Sequence, residues 1–244
     1  ETYKDEKNNW LSPDEVTSED GKNFFIKNQP NKKVKVGPSE SMSKSKRNTI
    51  DPENMINNYG ADAVRFFILS DSPPEKDVQW SESGMISSYK FIQKFWILCE
   101  QILDLIKNDP AEKSDEIEIF TNQSINKINF SLEKFRYNVL IAICHEIYTF
   151  WKKILDKKKN FRNLKNNFEK ILLIMMPILP HITNECLDKL NFKDEFTWPK
   201  VDQKYIKKEK NEIVIQINGK KRNLISVESN ITEKQLLIEI DKSK

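Results

Sequence analysis

The amino-acid sequence predicts a mainly α protein built around an antiparallel helical bundle, with a small α+β hairpin module after it. Apolar residues recur at three- and four-residue steps between about residues 81 and 200, which is the spacing of amphipathic helices. Residues 1–40 are polar and punctuated by Gly and Pro, whereas residues near 213–227 alternate as strands do. We therefore expect three parts, at 1–80, 81–200 and 201–244.

The composition excludes several broad classes of protein. Lys and Arg number 40 against 37 Asp and Glu, so a formal charge of +3 does not by itself diagnose nucleic-acid binding. Cys99, Cys144 and Cys186 are odd in number and widely separated, which argues against a disulfide framework or a protein-bound metal and favours a reducing compartment. The apolar run 171–176 is too short to cross a bilayer, and no signal peptide opens the chain, so we expect no membrane association.

The first elements lead to a loop rich in Ser and Lys. Residues 24–26 and 34–36 are predicted to form short strands of a hairpin-like unit. The segment Ser41-Met42-Ser43-Lys44-Ser45 follows, and its hydroxyls, N–H groups and ammonium suit a phosphate ligand. A solvated linker is the alternative interpretation.

Two short helices are predicted after this loop. Asp51 is suited to cap the first helix, with Pro52 at its first position and Gly60 at its end. Asp62 is predicted to cap the second, which stops before Pro73-Pro74.

Five further helices are expected in the bundle. The first carries the apolar series from Ile86 to Ile106, and the second covers about 116–133. The third is predicted to carry Phe135 and the apolar residues up to Ile154. The fourth, 164–176, is ended by Pro177 and Pro180, and a short fifth follows His181. The aromatic stripe on these helices is interpreted as core packing.

The last segment is predicted to be a hairpin followed by a helix. Ile213, Ile215 and Ile217 alternate, Asn218-Gly219 suits a tight turn, and residues 220–227 form the returning strand. Thr232 and Gln235 have the spacing of a capping box for a closing helix.

Motifs around the loop resemble a known family. The run 42–46, Asp51-Pro52 and the segment 59–65 are similar in order and spacing to the second signature of class I aminoacyl-tRNA synthetases. The segment 72–84 most resembles the leucyl members of that class. The junction 177–183 with Glu185 resembles their anticodon-binding-type bundle, and 216–220 resembles the start of their C-terminal tRNA-contacting domain, which would be partial here.

The resemblance implies a fold and a reaction. It implies that residues 1–80 are the end of a Rossmann-type catalytic domain, and that the cytoplasmic enzyme activates leucine with ATP, with Mg²⁺ accompanying the nucleotide, and transfers it to tRNA(Leu). It implies that Lys44 is the catalytic cation and that Ser41, Met42, Ser43, Lys44 and Ser45 bind ATP. The family motif begins with a further lysine where this chain has Ser41, and Lys46 and Arg47 are candidates to replace that charge.

The family's first signature, which carries two histidines, is not found. His145 and His181 are the only histidines, and both are interpreted as structural or surface residues. We therefore expect the chain to be the C-terminal portion of a larger synthetase, whose remainder is its partner, and to be inactive alone.

Contact with tRNA is predicted from basic residues on the bundle and at the hairpin. The candidates are Arg136, Lys152, Lys153, Lys220, Lys221 and Arg222. A solvated helix face is an equal alternative for each lysine pair. Two other functions remain open: an isoleucyl or valyl synthetase fragment, and an RNA-binding or assembly module without catalysis.

Overall fold

A computed structural model of the chain describes residues 1–71, 73–193, 196–206, 210–217 and 220–228, together with residues 233, 236, 237 and 240. The helices in this part of the chain are α1 (Pro52–Tyr59), α2 (Ala61–Asp71), α3 (Glu82–Ile106), α4 (Asp115–Glu133), α5 (Tyr137–Asp156), α6 (Leu164–Met175) and α7 (Pro180–Lys189). The strands are β1 (Thr2–Lys4), β2 (Trp10–Leu11), β3 (Val16–Thr17), β4 (Phe25–Ile26), β5 (Gln29–Lys33), β6 (Lys35–Gly37), β7 (Lys210–Ile217) and β8 (Lys220–Glu228). The predicted mainly α class with a helical bundle is confirmed.

The strands before the loop form two small antiparallel sheets, with strand orders β2–β1–β6 and β3–β4–β5. The predicted hairpin between residues 24–26 and 34–36 is wrong, because β4 pairs with β3 and β5 while β6 pairs with β1. Sequence reasoning missed β1, β2, β3 and β5. Of these, β5 is exposed throughout and contains Pro30. Proline and an absence of buried residues are typical of an edge strand, so the apolar pattern that marks a strand is missing there.

Helices α1 and α2 begin and end close to their predicted positions. The Asp51 carboxylate accepts a hydrogen bond from the Glu53 N–H at 3.0 Å, Pro52 is the first helical residue, and Gly60 ends α1 with φ of +81°. The prediction that Asp62 caps its own helix is wrong. Its carboxylate instead accepts from the N–H groups of His181 and Ile182, at the start of α7.

The bundle is formed by α3 to α7, and α2 packs against it. Ion pairs show that α4 and α5 run in opposite directions: Glu116 at the start of α4 pairs with Lys153 and Lys157 at the end of α5. Lys127, further along α4, pairs with Glu146, nearer the start of α5. One apolar core runs from Phe66 on α2 through every helix of the bundle, and Trp151, Phe95 and Phe168 are its largest fully buried side chains.

Two helix boundaries differ from prediction. Phe135 lies in the turn before α5 with φ of +52° and is 61% exposed, so it is not part of the buried stripe. Pro180 begins α7 instead of ending α6, because proline needs no N–H donor in the first helical turn.

The hairpin near the end of the chain is confirmed as an antiparallel pair of strands. β7 and β8 pair from Lys210 with Glu228 to Ile217 with Lys220, and the register shifts between Ile215 and Gln216. The predicted turn at Asn218-Gly219 and the capping box of Thr232 and Gln235 lie outside the described residues.

Candidate functional site

The Ser/Lys loop comprises residues 41–47 and is named the Lys44 loop. It precedes α1. Ser43 is extended, with φ of −150°, and one 3₁₀ turn follows at Lys44–Lys46. Arg47 closes this turn in the left-handed region, with φ of +53°. The Ser43 and Ser45 hydroxyls lie 2.8 Å apart, which joins the two ends of the Ser43-Lys44-Ser45 segment.

Asn48 holds the loop together from its centre. Its side-chain carbonyl accepts from the Ser43 N–H at 2.7 Å, and its amide group donates to the carbonyls of Glu40 and Ser41, both at 3.4 Å. The residue is 7% exposed, which is unusual for an asparagine in a polar loop. Sequence reasoning assigned it no role, since burial is the only property that distinguishes it from neighbouring polar residues.

The three cations of the loop lie in different surroundings. Lys46 forms an ion pair with Glu40, and this hydrogen bond lowers the pKa of the Glu40 carboxyl. Arg47 pairs with Glu15 at 3.1 Å and also donates to the carbonyl of Trp10. Lys44 is exposed, and within the described part of the chain no acidic side chain forms an ion pair with it. Lys44 is therefore the loop cation that can meet an anion without first breaking an ion pair.

An open cavity of about 1270 Å³ lies beside the loop. Ser41, Met42 and Lys46 contribute to its lining, and Tyr59 and Trp80 line it from α1 and the segment before α3. Ser43, Lys44 and Ser45 are not among the lining residues. The loop thus contributes its first residues and Lys46 to the cavity lining, whereas Lys44 is exposed and does not line it.

The predicted RNA-contacting residues are separated in the structure. Arg136 precedes α5, and its guanidinium lies 5.3 Å from the ring centre of Phe130, which is 50% exposed. Lys152 is exposed on α5, whereas Lys153 forms an ion pair with Glu116 at 3.0 Å. Lys220, Lys221 and Arg222 lie on β8, where the structure describes their backbone alone.

The histidines lie at partly exposed positions of α5 and α7, whereas the cysteines are buried. The His145 ring lies 4.5 Å from that of Phe91, and burial there lowers the pKa of the imidazole, with a further contribution from Lys94. His181 is an exposed residue in the first turn of α7. All three cysteines are buried, and burial raises the pKa of Cys144 to about 12.

The described residues form neither a metal-ligand cluster nor a membrane-spanning helix. Among the residues with described positions, no three His, Cys, Asp or Glu side chains converge as metal ligands. Within that part of the chain, no helix combines the length and apolar character that a bilayer span requires.

Comparison with known proteins relates both regions to tRNA ligases. Residues 114–238 match the family described as the anticodon-binding domain of tRNA ligase, and residues 34–81 match class I tRNA synthetases (I, L, M and V). The chain is 37% identical over 248 residues to the leucine–tRNA ligase of Rickettsia bellii (strain RML369-C), covering 99% of this chain and 29% of that protein. It is 35% identical over 234 residues to the leucine–tRNA ligase of Hyphomonas neptunium (strain ATCC 15444), covering 93% and 27% respectively.

A solved structure shares the fold. The LeuRS agnB2 of Agrobacterium radiobacter K84, in a ternary complex with tRNA and LeuAMS, matches with a TM-score of 0.62 at 22% identity, covering 82% of this chain and 27% of that one. The chain spans less than a third of the length of these relatives.

Proposed function

The chain belongs to the family of anticodon-binding domains of tRNA ligases, whose match covers about half of it, and we propose that it works in a leucine–tRNA ligase. The observation that carries this proposal is the similarity to leucine–tRNA ligases, which extends over 93% to 99% of the chain. In such an enzyme residues 1–80 complete the catalytic domain, 81–200 form the tRNA-binding bundle and 201–244 form part of a tRNA-contacting module. The reaction would take place in the cytoplasm.

The proposed reaction has two steps, an adenylyl transfer to leucine followed by an acyl transfer to tRNA. A carboxylate oxygen of leucine attacks the α-phosphorus of ATP, and the bond to the bridging oxygen breaks, which gives leucyl-adenylate and pyrophosphate. A terminal ribose hydroxyl of tRNA(Leu) then takes the leucyl group and releases AMP. Negative charge on the phosphates increases in the first step, so catalysis depends mainly on positioned cations and N–H donors.

Lys44 is the proposed catalytic cation of the first step. Its ammonium is exposed and has no ion pair with the described acidic residues, whereas the charges of Lys46 and Arg47 are balanced by Glu40 and Glu15. Mg²⁺ bound to ATP would share this role. Ser41, Met42, Ser43 and Ser45 are proposed to contact ATP through loop N–H groups and hydroxyls, and Asn48 supports their conformation.

Arg136 is the best-supported RNA contact among the basic candidates. It lies at a turn where Phe130 and Phe135 are 50% and 61% exposed, and aromatic faces beside a guanidinium suit bases and phosphates. Lys153 is less suited, since its ion pair with Glu116 would have to open. Lys152, Lys220, Lys221 and Arg222 remain proposed contacts on the sequence alone.

The charging reaction of the complete enzyme tests the proposed function. We expect tRNA(Leu) to be charged with leucine and not with isoleucine or valine, and Arg136→Ala to raise the KM for tRNA while exposed Lys90→Ala leaves it unchanged. Arg136→Ala should also reduce the salt dependence of tRNA binding, because one phosphate contact is lost. Charging with isoleucine or valine would reassign the enzyme within its class, and absence of any charging would favour an RNA-binding module.

A further inference from the structure

Two charged side chains of α2 reach across to the junction between α6 and α7. The Asp62 carboxylate accepts from the His181 N–H at 3.2 Å and from the Ile182 N–H at 2.8 Å. The Arg65 guanidinium donates to the carbonyls of Pro177 at 2.7 Å and Ile178 at 3.2 Å. Asp62 and Arg65 are three residues apart and therefore lie on one face of α2.

The contacts satisfy backbone groups that the junction itself leaves open. The residue in the N-cap position of α7 is Leu179, which has no side-chain acceptor, so the first N–H groups of α7 have no local cap. Asp62 supplies that cap from another helix, and its negative charge also suits the positive end of the α7 dipole. It is 5% exposed, so its charge depends on these two N–H donors in place of water.

Helices α1 and α2 connect the Lys44 loop to the bundle through short links, and Asp62 and Arg65 join α2 to the α6–α7 junction. Helix α1 begins at Pro52, five residues after Arg47 closes the turn of the loop, and Gly60 alone separates α1 from α2. On the other side, α6 packs against α4 and α7, within the bundle that carries Arg136. A displacement of α6 and α7 relative to α2 would therefore change the position of the loop relative to any RNA on the bundle.

We infer that Asp62 and Arg65 are positioning residues that fix the bundle relative to the Lys44 loop, so that tRNA bound to the bundle delivers its acceptor end to the activated leucine. This inference rests on the proposed function. It assigns the pair to the transfer step, which needs both regions, and not to leucine activation, which needs the loop without tRNA.

Kinetics of the complete enzyme separate the two steps. Asp62→Asn keeps the side-chain size but removes the charge, and Arg65→Met keeps the length but removes the donors. For each variant we expect kcat/KM for tRNA charging to fall by about tenfold or more, because Asp62→Asn loses one and Arg65→Met loses both hydrogen bonds made by the charged group. Leucine-dependent ATP–pyrophosphate exchange without tRNA should stay within about twofold of wild type.

Matched controls make the same chemical changes elsewhere. Asp188→Asn alters an exposed aspartate at the other end of α7, and Arg162→Met alters an exposed arginine before α6. Both controls should charge tRNA as the wild type does. Exchange and charging falling in parallel in Asp62→Asn, or charging that stays unchanged, would overturn the inference.

Amide hydrogen exchange tests the contact independently of activity. In Asp62→Asn the amides of His181 and Ile182 should exchange faster, while those of Cys186 and Leu187 stay protected. Unchanged protection at His181 and Ile182 would contradict the cap. A wild-type enzyme that fails to activate leucine would refute the proposed function, and this amide measurement would still decide whether the contact exists.

Discussion

Asn48 shows how one buried side chain can organise a loop that is otherwise polar and exposed. Its three hydrogen bonds connect residue 43 with residues 40 and 41, so the conformation around Lys44 depends on a buried residue outside the segment 41–45. Loss of the acceptor for the Ser43 N–H would therefore disturb the conformation of the loop and not that of the bundle.

Replacement of Asn48 tests this role. Asn48→Ala should slow leucine-dependent ATP–pyrophosphate exchange by about tenfold, since the loop loses the acceptor that fixes Ser43. Thr49→Ala changes the adjacent exposed residue and serves as the control. Equal exchange rates in Asn48→Ala and the control would show that the loop does not need this support.

At the level of elements, the close packing of α2 and α3 depends on a glycine. A Cβ on Gly84, in the first turn of α3, would lie 2.7 Å from Cε2 of Phe67, whose side chain belongs to a small buried cluster with Ala63 and Met85. The two helices can therefore approach at this point because residue 84 has no side chain.

Gly84→Ala separates packing from helix propensity. Alanine in a helix is favoured over glycine by about 1 kcal/mol, whereas overpacking a core costs about 1–3 kcal/mol. We expect a lower free energy of unfolding, measured by denaturant titration, because the buried Phe67 ring has little room to move. Ser87→Ala, at an exposed position of the same helix, should be neutral or slightly stabilising. A more stable Gly84→Ala protein would contradict the close approach.

The helices of this protein were easier to predict from sequence than the strands and their partners. Bundle helices were predictable because an amphipathic stripe is a local pattern, and α3, α4 and α6 begin or end within a few residues of their expected positions. Strand partners were not, because pairing depends on distant residues: β6 pairs with β1, and the exposed β5 carries no apolar signal. Phe135 was misassigned because its spacing fits the apolar stripe, although its backbone lies in the turn before α5 and has a positive φ.

Across the whole molecule, the loop motif was predictable but the contacts that position it were not. Lys44 and its neighbours lie in one short run of sequence, so a phosphate-binding role for them could be proposed from residue types alone. The pairing of Lys46 with Glu40 and of Arg47 with Glu15, and the reach of Asp62 to α7, depend on how separate segments pack. Position 62 suggested a cap, and the structure shows which helix is capped.

We propose that the Lys44 ammonium stabilises the phosphates of ATP while leucine is activated. Leucine-dependent ATP–pyrophosphate exchange by the complete enzyme measures that step directly, with Lys90→Ala as an exposed lysine control on α3. We predict that Lys44→Ala slows exchange by about tenfold or more, since a positioned cation acts on charge that grows in the transition state. Exchange by Lys44→Ala at the rate of the wild type and of Lys90→Ala would contradict this role of Lys44.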